Sequence, residues 1–345
     1  MRLHLFCLFI VGLVHAGCNS SGKIPLVVYS PHGKEILSAF ESAYEAVHPG
    51  VDVQWLDMGS QDVYDRVRTE RQNPQADVWW GGPSTIFARA EAESLLELYR
   101  PSWEAAVPAE WKSSSHHWYG TLLTPEVIMY NNRVVSETEA PRDWDDLLDP
   151  KWKGKVIIRY PLASGTMRTI FSAFILRERD RSGDVEAGFA WLRQLDANTK
   201  TYTADPVQLY LKIAREEGLV SLWNLPDVVV QVRLNGYPFG YVIPRSGTPL
   251  ITDCIALVKG TRRRDEAIRF YEFVTSTDGL LRQAHEFYRI PARRDIPRDQ
   301  LPEWIRTLDL VPMTINWDTL AAHEREWMMR WDTEVKGRGR DQSGE

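Results

Sequence analysis

Between residues 26 and 98, short apolar runs of strand length alternate three times with segments of helical period, and that alternation restricts the chain more than any other feature. Leu26-Val27-Val28-Tyr29 runs into the turn Ser30-Pro31-His32-Gly33-Lys34. Ile36, Leu37, Phe40, Ala43, Tyr44 and Val47 then recur at helical spacing, with Glu35, Glu41 and Glu45 free to face water. Pro49-Gly50 ends this helix, Val51 to Leu56 reads as a second strand, and 62–72 as a second helix. Ala76-Asp77-Val78-Trp79-Trp80 is the third strand, and Gly81-Gly82-Pro83-Ser84 turns into a third helix with Ser84 as its expected cap. Such alternation implies a parallel sheet with right-handed crossovers, so these strand-to-helix turns open on one sheet edge. Helix amino ends at that edge favour an anion, which makes the turn at Ser30 one expected wall of a ligand site.

The second half repeats the logic. Lys155 to Arg159 is a strand, and Ser164-Gly165-Thr166 opens a helix through Ile170 and Phe174. Helices at 185–195 and 207–217 enclose residues 199–206, and Leu219 to Trp223 is a strand turned into a helix at Asn224-Leu225-Pro226-Asp227. Two segments should cross between the halves: 119–131 going out, and Phe239 to Val258 coming back. Two crossings imply two lobes and a hinge, an arrangement suited to closing over a ligand.

Length, charge and cysteines narrow the class. A chain of 345 residues suits two domains of ordinary size. A net charge of -6 argues against a nucleic-acid surface. Arg2 and the apolar run Leu5 to Val14 form a targeting segment, which implies export. Cleavage fits after Ala16 or before Cys18, where Ala16-Gly17-Cys18 resembles a bacterial lipoprotein signal, with His15 standing where Leu is usual. On that reading Cys18 carries lipid and Asn19 to Lys23 is the tether. Cys254 remains as a buried small hydrophobe, so neither a disulfide framework nor a Cys-based metal site is expected. His116-His117 could suggest a metal, but adjacent loop residues point apart and a solvated loop is the simpler reading.

Pro141, then Trp144-Asp145-Asp146-Leu147-Leu148, then Pro150-Lys151-Trp152-Lys153-Gly154-Lys155 and a strand, resembles the linker of bacterial extracellular solute-binding proteins. Further similar stretches are Tyr29 to Gly33, Ala76 to Gly82, Gly240 to Pro244 and Ser246 to Pro249. The resemblance implies an α/β fold of the type II periplasmic binding protein kind, with two Rossmann-like lobes joined by a two-strand hinge. It also implies ABC permease subunits as partners, in a branch whose members bind ferric ion, sugar phosphates, phosphonates or polyamines. The expected organisation is a signal peptide at 1–17, a tether at 18–23, a first lobe from 24–122 and 250–298, and a second lobe from 123–249. C-terminal helices at 299–335 pack across or beside the lobes, and 336–345 form a disordered tail.

Four turns then compete for the cleft. Ser30, His32 and Gly33, then Gly82, Ser84 and Thr85, then Ser164, Gly165 and Thr166 offer hydroxyls, N–H groups and helix amino ends to a phosphate, phosphonate or carboxylate. Asp205, Asn224 and Asp227 could accept from sugar hydroxyls or pair with an amine, and His32 and Arg168 are the nearby cations. The expected ligand is a small anionic organic solute such as a sugar phosphate or an aminoalkyl phosphonate. Ferric binding is the alternative within the fold. The consecutive Tyr pair of ferric-binding relatives is replaced by Leu225-Pro226-Asp227, which leaves Tyr202, Tyr237 and Tyr241 uncommitted. A polyamine would use Trp79, Trp80 or Trp223 as walls with Asp205 and Asp227 as counter-charges. A secreted hydrolase is the reading from another class; Ser30 and His32 lie close, but neither a Gly-x-Ser-x-Gly elbow nor a His-Glu-x-x-His helix accompanies them. A monomeric, non-catalytic receptor without cofactor or metal is expected.

Overall fold

The computed structural model describes residues 22–338; the targeting segment, Cys18 and the last seven residues lie outside them. In chain order the first half forms β1 (Ile24–Ser30), α1 (Lys34–Val47), β2 (Val51–Asp57), α2 (Ser60–Thr69), β3 (Val78–Pro83), α3 (Ser84–Ala92), β4 (Leu96–Glu97) and β5 (Tyr119–Asn131). There follow β6 (Val156–Arg159), α4 (Gly165–Ser182), α5 (Val185–Asn198), β7 (Thr199–Thr203), α6 (Pro206–Ala214), β8 (Val220–Asn224), α7 (Leu225–Asn235) and β9 (Phe239–Val242). The chain ends with β10 (Leu250–Val258), α8 (Arg264–Thr275), α9 (Thr277–Glu286), β11 (Ile290–Pro291), α10 (Glu303–Arg306) and α11 (Trp317–Glu334).

The strands run in the order β2-β1-β3-β10-β5-β8-β6-β7, with β1 parallel to β2 and β3, and β6 parallel to β7 and β8. The long strand β5 belongs to both lobes. Its first part pairs antiparallel with β10, and its second part with β8 and β9. The connection from β9 to β10 is the second crossing, so the hinge is the two-strand device expected from sequence. Sequence reading missed β7, whose Thr199-Lys200-Thr201-Tyr202-Thr203 is short, polar and lies between two helices.

In the first lobe the two-residue period of strands sends neighbouring side chains to opposite sheet faces. Trp80 joins Val28, Phe40 and Phe270 on one face, while Trp79 joins Tyr29, Phe87 and Cys254 on the other. All six residues of β3 are buried, as expected of a strand covered on both faces. Each large apolar side chain so removed from water contributes about 1.5–3 kcal/mol. The second lobe has one larger core, and α11 closes it with Leu320, Trp327, Met328 and Trp331. The same helix also touches α3 of the first lobe.

Several local expectations are corrected. Val47 is 61 % exposed, because α1 turns its last residue away from the sheet. Glu41 and Glu45 do not simply face water: Glu41 accepts from Trp55 Nε1 at 2.6 Å and Glu45 from the Val53 N–H at 2.8 Å, which ties α1 to β2. The Trp144–Leu148 segment is a 3₁₀ helix, capped by Asp143 with Asp146 in a reciprocal capping box. At the C-terminus Lys336 is held by Asp332 at 3.0 Å and sits 4.3 Å above the Tyr160 ring, so the ordered chain continues past the helix end.

Candidate ligand cleft

The turn after β1 is shaped from within. Ser30 Oγ accepts the His32 N–H at 3.1 Å, and Gly33 takes a φ of 87° to open α1. The Gly33 N–H faces the carboxylate of Asp57 at the end of β2. After β3, Gly81 and Gly82 have φ of 104° and 116°. The His32 ring lies so close over Gly81 that a Cβ there would sit 2.6 Å from Nε2. The Gly82 N–H donates to Asp253 Oδ1 at 3.1 Å. Ser84 is the first residue of α3, not its cap, since Pro83 occupies the cap position and makes no side-chain bond there. Thr85 is buried with its Oγ1 unpartnered.

In the second lobe, Ser164 Oγ accepts from the Met167 N–H at 3.2 Å and caps α4, with Thr166 half-buried beside it. The Gly165 N–H crosses between the lobes to Ser60 Oγ at 3.2 Å. Asn224 caps α7, accepting from the Asp227 N–H and donating Nδ2 to Asp227 Oδ2, both at 2.9 Å. Asp205 caps α6 through the Gln208 N–H at 2.8 Å. Two of the N–H groups expected to receive an anion are therefore held by protein acceptors, Gly82 by Asp253 and Gly165 by Ser60, while that of Gly33 faces Asp57.

What gathers between the lobes is a set of buried charges on both sides of the hinge. Arg289, just before β11, pairs with Asp227 of α7 at 3.1 Å across the cleft. Behind this pair lie Asp253 on β10, which accepts from Thr124 Oγ1 at 2.5 Å, and Glu126 on β5. Both carboxylate oxygens of Glu126 are buried without a hydrogen-bond partner. Burial pushes its carboxyl well above the ordinary range, and the charges of Asp253 and Asp227 push the same way. Burial also raises Asp253, opposed by the Thr124 hydroxyl, Arg289 and the Gly82 N–H. Asp57 is raised by burial too, although the Gly33 N–H pulls against it. His32 is driven well below its usual value by burial and by the Arg289 charge, so it is a neutral imidazole. Tyr210 completes the group, receiving Trp223 Nε1 at 3.0 Å and donating to Asp227 at 3.4 Å.

Arg159 ends β6, is 5 % exposed, and donates to the carbonyls of Thr203 and Ala204. Its charge is felt by Asp205 of its own lobe and Asp62 of the other, which places it at the seam. The cleft thus has an excess of carboxylates around the hinge and one buried guanidinium in the second lobe. That arrangement can hold a small solute with a positive end and a negative end.

Sequence reasoning missed Asp57, Glu126, Arg159, Tyr210, Asp253 and Arg289. A signal existed for three of them, because a charge inside or ending an apolar strand, as at Glu126, Asp253 and Arg159, is costly unless it is used. Other expectations are overturned. Trp79 and Trp80 are fully buried on opposite faces of the first-lobe sheet, and Trp223 is occupied by Tyr210, so they do not form cation-π walls. Arg168 lies away from the cleft, beside Arg89 and Arg325. Tyr202 donates to Asp196, Tyr237 stacks on Phe239 and Tyr241 is exposed, so the three do not converge. His116 and His117 are not simply solvated: their Nδ1 atoms lie 2.8 Å from Glu104 and 3.2 Å from Glu91. Among the described residues, no group of three or more His, Cys, Asp or Glu is placed to hold a metal ion.

Comparison with known proteins bears on this geometry. The family model described as bacterial extracellular solute-binding protein matches residues 38–308. A probable ABC transporter periplasmic-binding protein of Sinorhizobium fredii is 27% identical over 321 residues, covering 90% of this chain and 86% of the relative. A Salmonella typhimurium periplasmic protein, provisionally named for 2-aminoethylphosphonate binding, is 28% identical over 293 residues, 82% of each chain. The fructose-6-phosphate-bound periplasmic protein AfuA of Actinobacillus pleuropneumoniae shares the fold, with a TM-score of 0.79 and 23% identity over 91% of this chain and 99% of that one. With its two hinged α/β lobes, the chain belongs to the bacterial extracellular solute-binding proteins, and it is the substrate-binding component of an ABC importer.

Proposed function

We propose that the cleft captures a small zwitterionic solute of the aminoalkyl phosphonate class by lobe closure and presents it to the permease without chemical change. The observation that carries the reading is Glu126. A carboxylate buried on the hinge strand with both oxygens unpartnered is costly unless a ligand completes it, and an ammonium group does so with charge-assisted hydrogen bonds. Asp253 and Asp227 add negative potential at the same place. The phosphonate end lies toward Arg159 and the amino end of α4 beside Ser164 and Thr166, where the helix dipole favours an anion. Ser30, His32, Gly33, Gly82, Ser84 and Thr85 shape the first-lobe wall, and Asn224 holds Asp227. The provisional 2-aminoethylphosphonate name of the Salmonella relative fits this division of charge.

The protein acts as an exported monomer, anchored through Cys18, and catalyses no reaction. A thermal-shift panel of 2-aminoethylphosphonate, fructose 6-phosphate, ferric citrate and spermidine tests the reading. A ligand at about a hundred times its dissociation constant stabilises the native state by about 2.7 kcal/mol. A midpoint rise with 2-aminoethylphosphonate is expected. A rise only with ferric citrate or only with spermidine would contradict the proposal.

A further inference from the structure

A second concentration of charge lies outside the cleft, beyond the Ser60–Gly165 contact. A cavity of about 210 Å³ there is lined by Arg68, Arg89, Arg168 and Arg325, with Asp65 the carboxylate in its wall. Arg68 and Arg89 come from α2 and α3 of the first lobe, Arg168 and Arg325 from α4 and α11 of the second-lobe body. Arg168 is 5 % exposed, and its Nη2 donates to the Leu162 carbonyl at 3.0 Å, yet its Nε is buried without a partner. The Arg89 guanidinium stacks 4.0 Å over the Tyr64 ring and donates to Gln61 Oε1 at 2.9 Å, with its own Nε likewise unpartnered.

The surrounding carboxylates only partly balance this charge. Asp65 is engaged by Gln61 Nε2 at 3.0 Å, and Glu93 lies 3.2 Å from Arg68. Glu324 is buried behind Arg168 and receives the Thr169 hydroxyl at 3.3 Å. Burial raises its carboxyl to about 7 despite Arg168 and Arg89, so at neutral pH it is not a full counter-charge. The seam between the lobes holds four guanidinium groups together from two sides, with two buried N–H groups unsatisfied. Like charges so placed oppose closure unless an anion joins them.

We infer that this seam cavity is a second ligand site, taking a phosphate-class oxyanion that bridges the lobes and favours the closed form. It shares no residue with the hinge cluster of Glu126, Asp227, Asp253 and Arg289, and it stands whether or not an aminoalkyl phosphonate is the transported solute. Guanidinium groups suit such an anion because their paired N–H donors match two oxygens at once. The cavity is complete only when both lobes contribute, so occupancy and closure are coupled in both directions.

Calorimetric titration of inorganic phosphate into the full exported chain, against sodium chloride of equal ionic strength, tests the inference. Saturable one-site binding is expected, together with a smaller radius of gyration by X-ray scattering. The double variant Arg68→Gln with Arg325→Gln should weaken phosphate by about tenfold or more, as expected for losing charged hydrogen bonds, while keeping the wild-type circular dichroism. Arg325→Lys should retain part of the affinity. Arg71→Gln, on the exposed first-lobe surface away from both sites, should leave it in place. The inference is overturned if phosphate has no effect beyond chloride, or if binding survives the double variant undiminished.

Discussion

Replacing Glu126 by Gln should raise stability and lower affinity together. Both carboxylate oxygens are buried without partners, and Asp253 and Asp227 add repulsion. A buried polar group left unsatisfied costs about 1–3 kcal/mol, and the amide removes the charge while keeping the shape. The sign with pH follows from the raised carboxyl. The folded state holds this proton more tightly than the unfolded chain, so the favourable contribution is full below the ordinary glutamate range near pH 4 and is lost as pH rises through the folded value. The variant should therefore match the wild type at pH 4 and exceed it at pH 8. For 345 residues the unfolding entropy is roughly 0.7 kcal/mol per kelvin, which converts the gain to a midpoint rise of about 1–4 °C. The variant should also bind 2-aminoethylphosphonate about tenfold to a hundredfold more weakly, because a charge-assisted bond to the ammonium is gone. Calorimetric melting at both pH values and titration with the solute check the two halves. A variant less stable than wild type at pH 8, or equally stabilised at both pH values, would refute the reasoning.

Two further substitutions probe closure itself. Gly165→Ala places a Cβ onto Ser60 Oγ and 2.6 Å from Ile86 Cδ1, both in the opposite lobe. An overpacking cost of about 1–3 kcal/mol then falls on the closed form alone, so solute affinity should drop roughly tenfold to a hundredfold at unchanged helix content, as titration and circular dichroism would show. Arg289→Gln removes the cation from between Asp227 and Asp253, costs the closed form about 1.5–3 kcal/mol, and should enlarge the radius of gyration seen by X-ray scattering of the solute-bound protein.

Much of the architecture was legible because it rests on periodicity. The strand at Leu26 to Tyr29, the helix through Ile36 and Phe40, and the crossings on either side of the second lobe follow from apolar spacing, which survives without any knowledge of neighbours. The strand β7 was not legible, since a short polar strand at a sheet edge is defined by its partner β6 and not by its own pattern. The turns at Ser30, Gly82 and Asn224 lie at strand ends and that at Ser164 opens α4, all legible because turn chemistry is local. Which groups their N–H donors meet was not local. Asp57, Asp253 and Ser60 lie elsewhere in the chain, and only the folded sheet brings them onto Gly33, Gly82 and Gly165. Arg289 and Glu126 are coupled to Asp227 over long stretches of sequence for the same reason. Arg168 illustrates the converse. It follows directly on the α4 turn, but it is three residues past Gly165, and helix rotation carries it to the seam and away from the cleft.

Paired calorimetric titrations of the wild-type protein with 2-aminoethylphosphonate and with ethylphosphonate, which lacks only the amine, test the division of the cleft into an acidic hinge end and a basic second-lobe end. Binding of the amine-bearing compound with at least about tenfold higher affinity is the predicted result, from one charge-assisted hydrogen bond to Glu126. Equal affinities, or tighter binding of ethylphosphonate, would contradict the account.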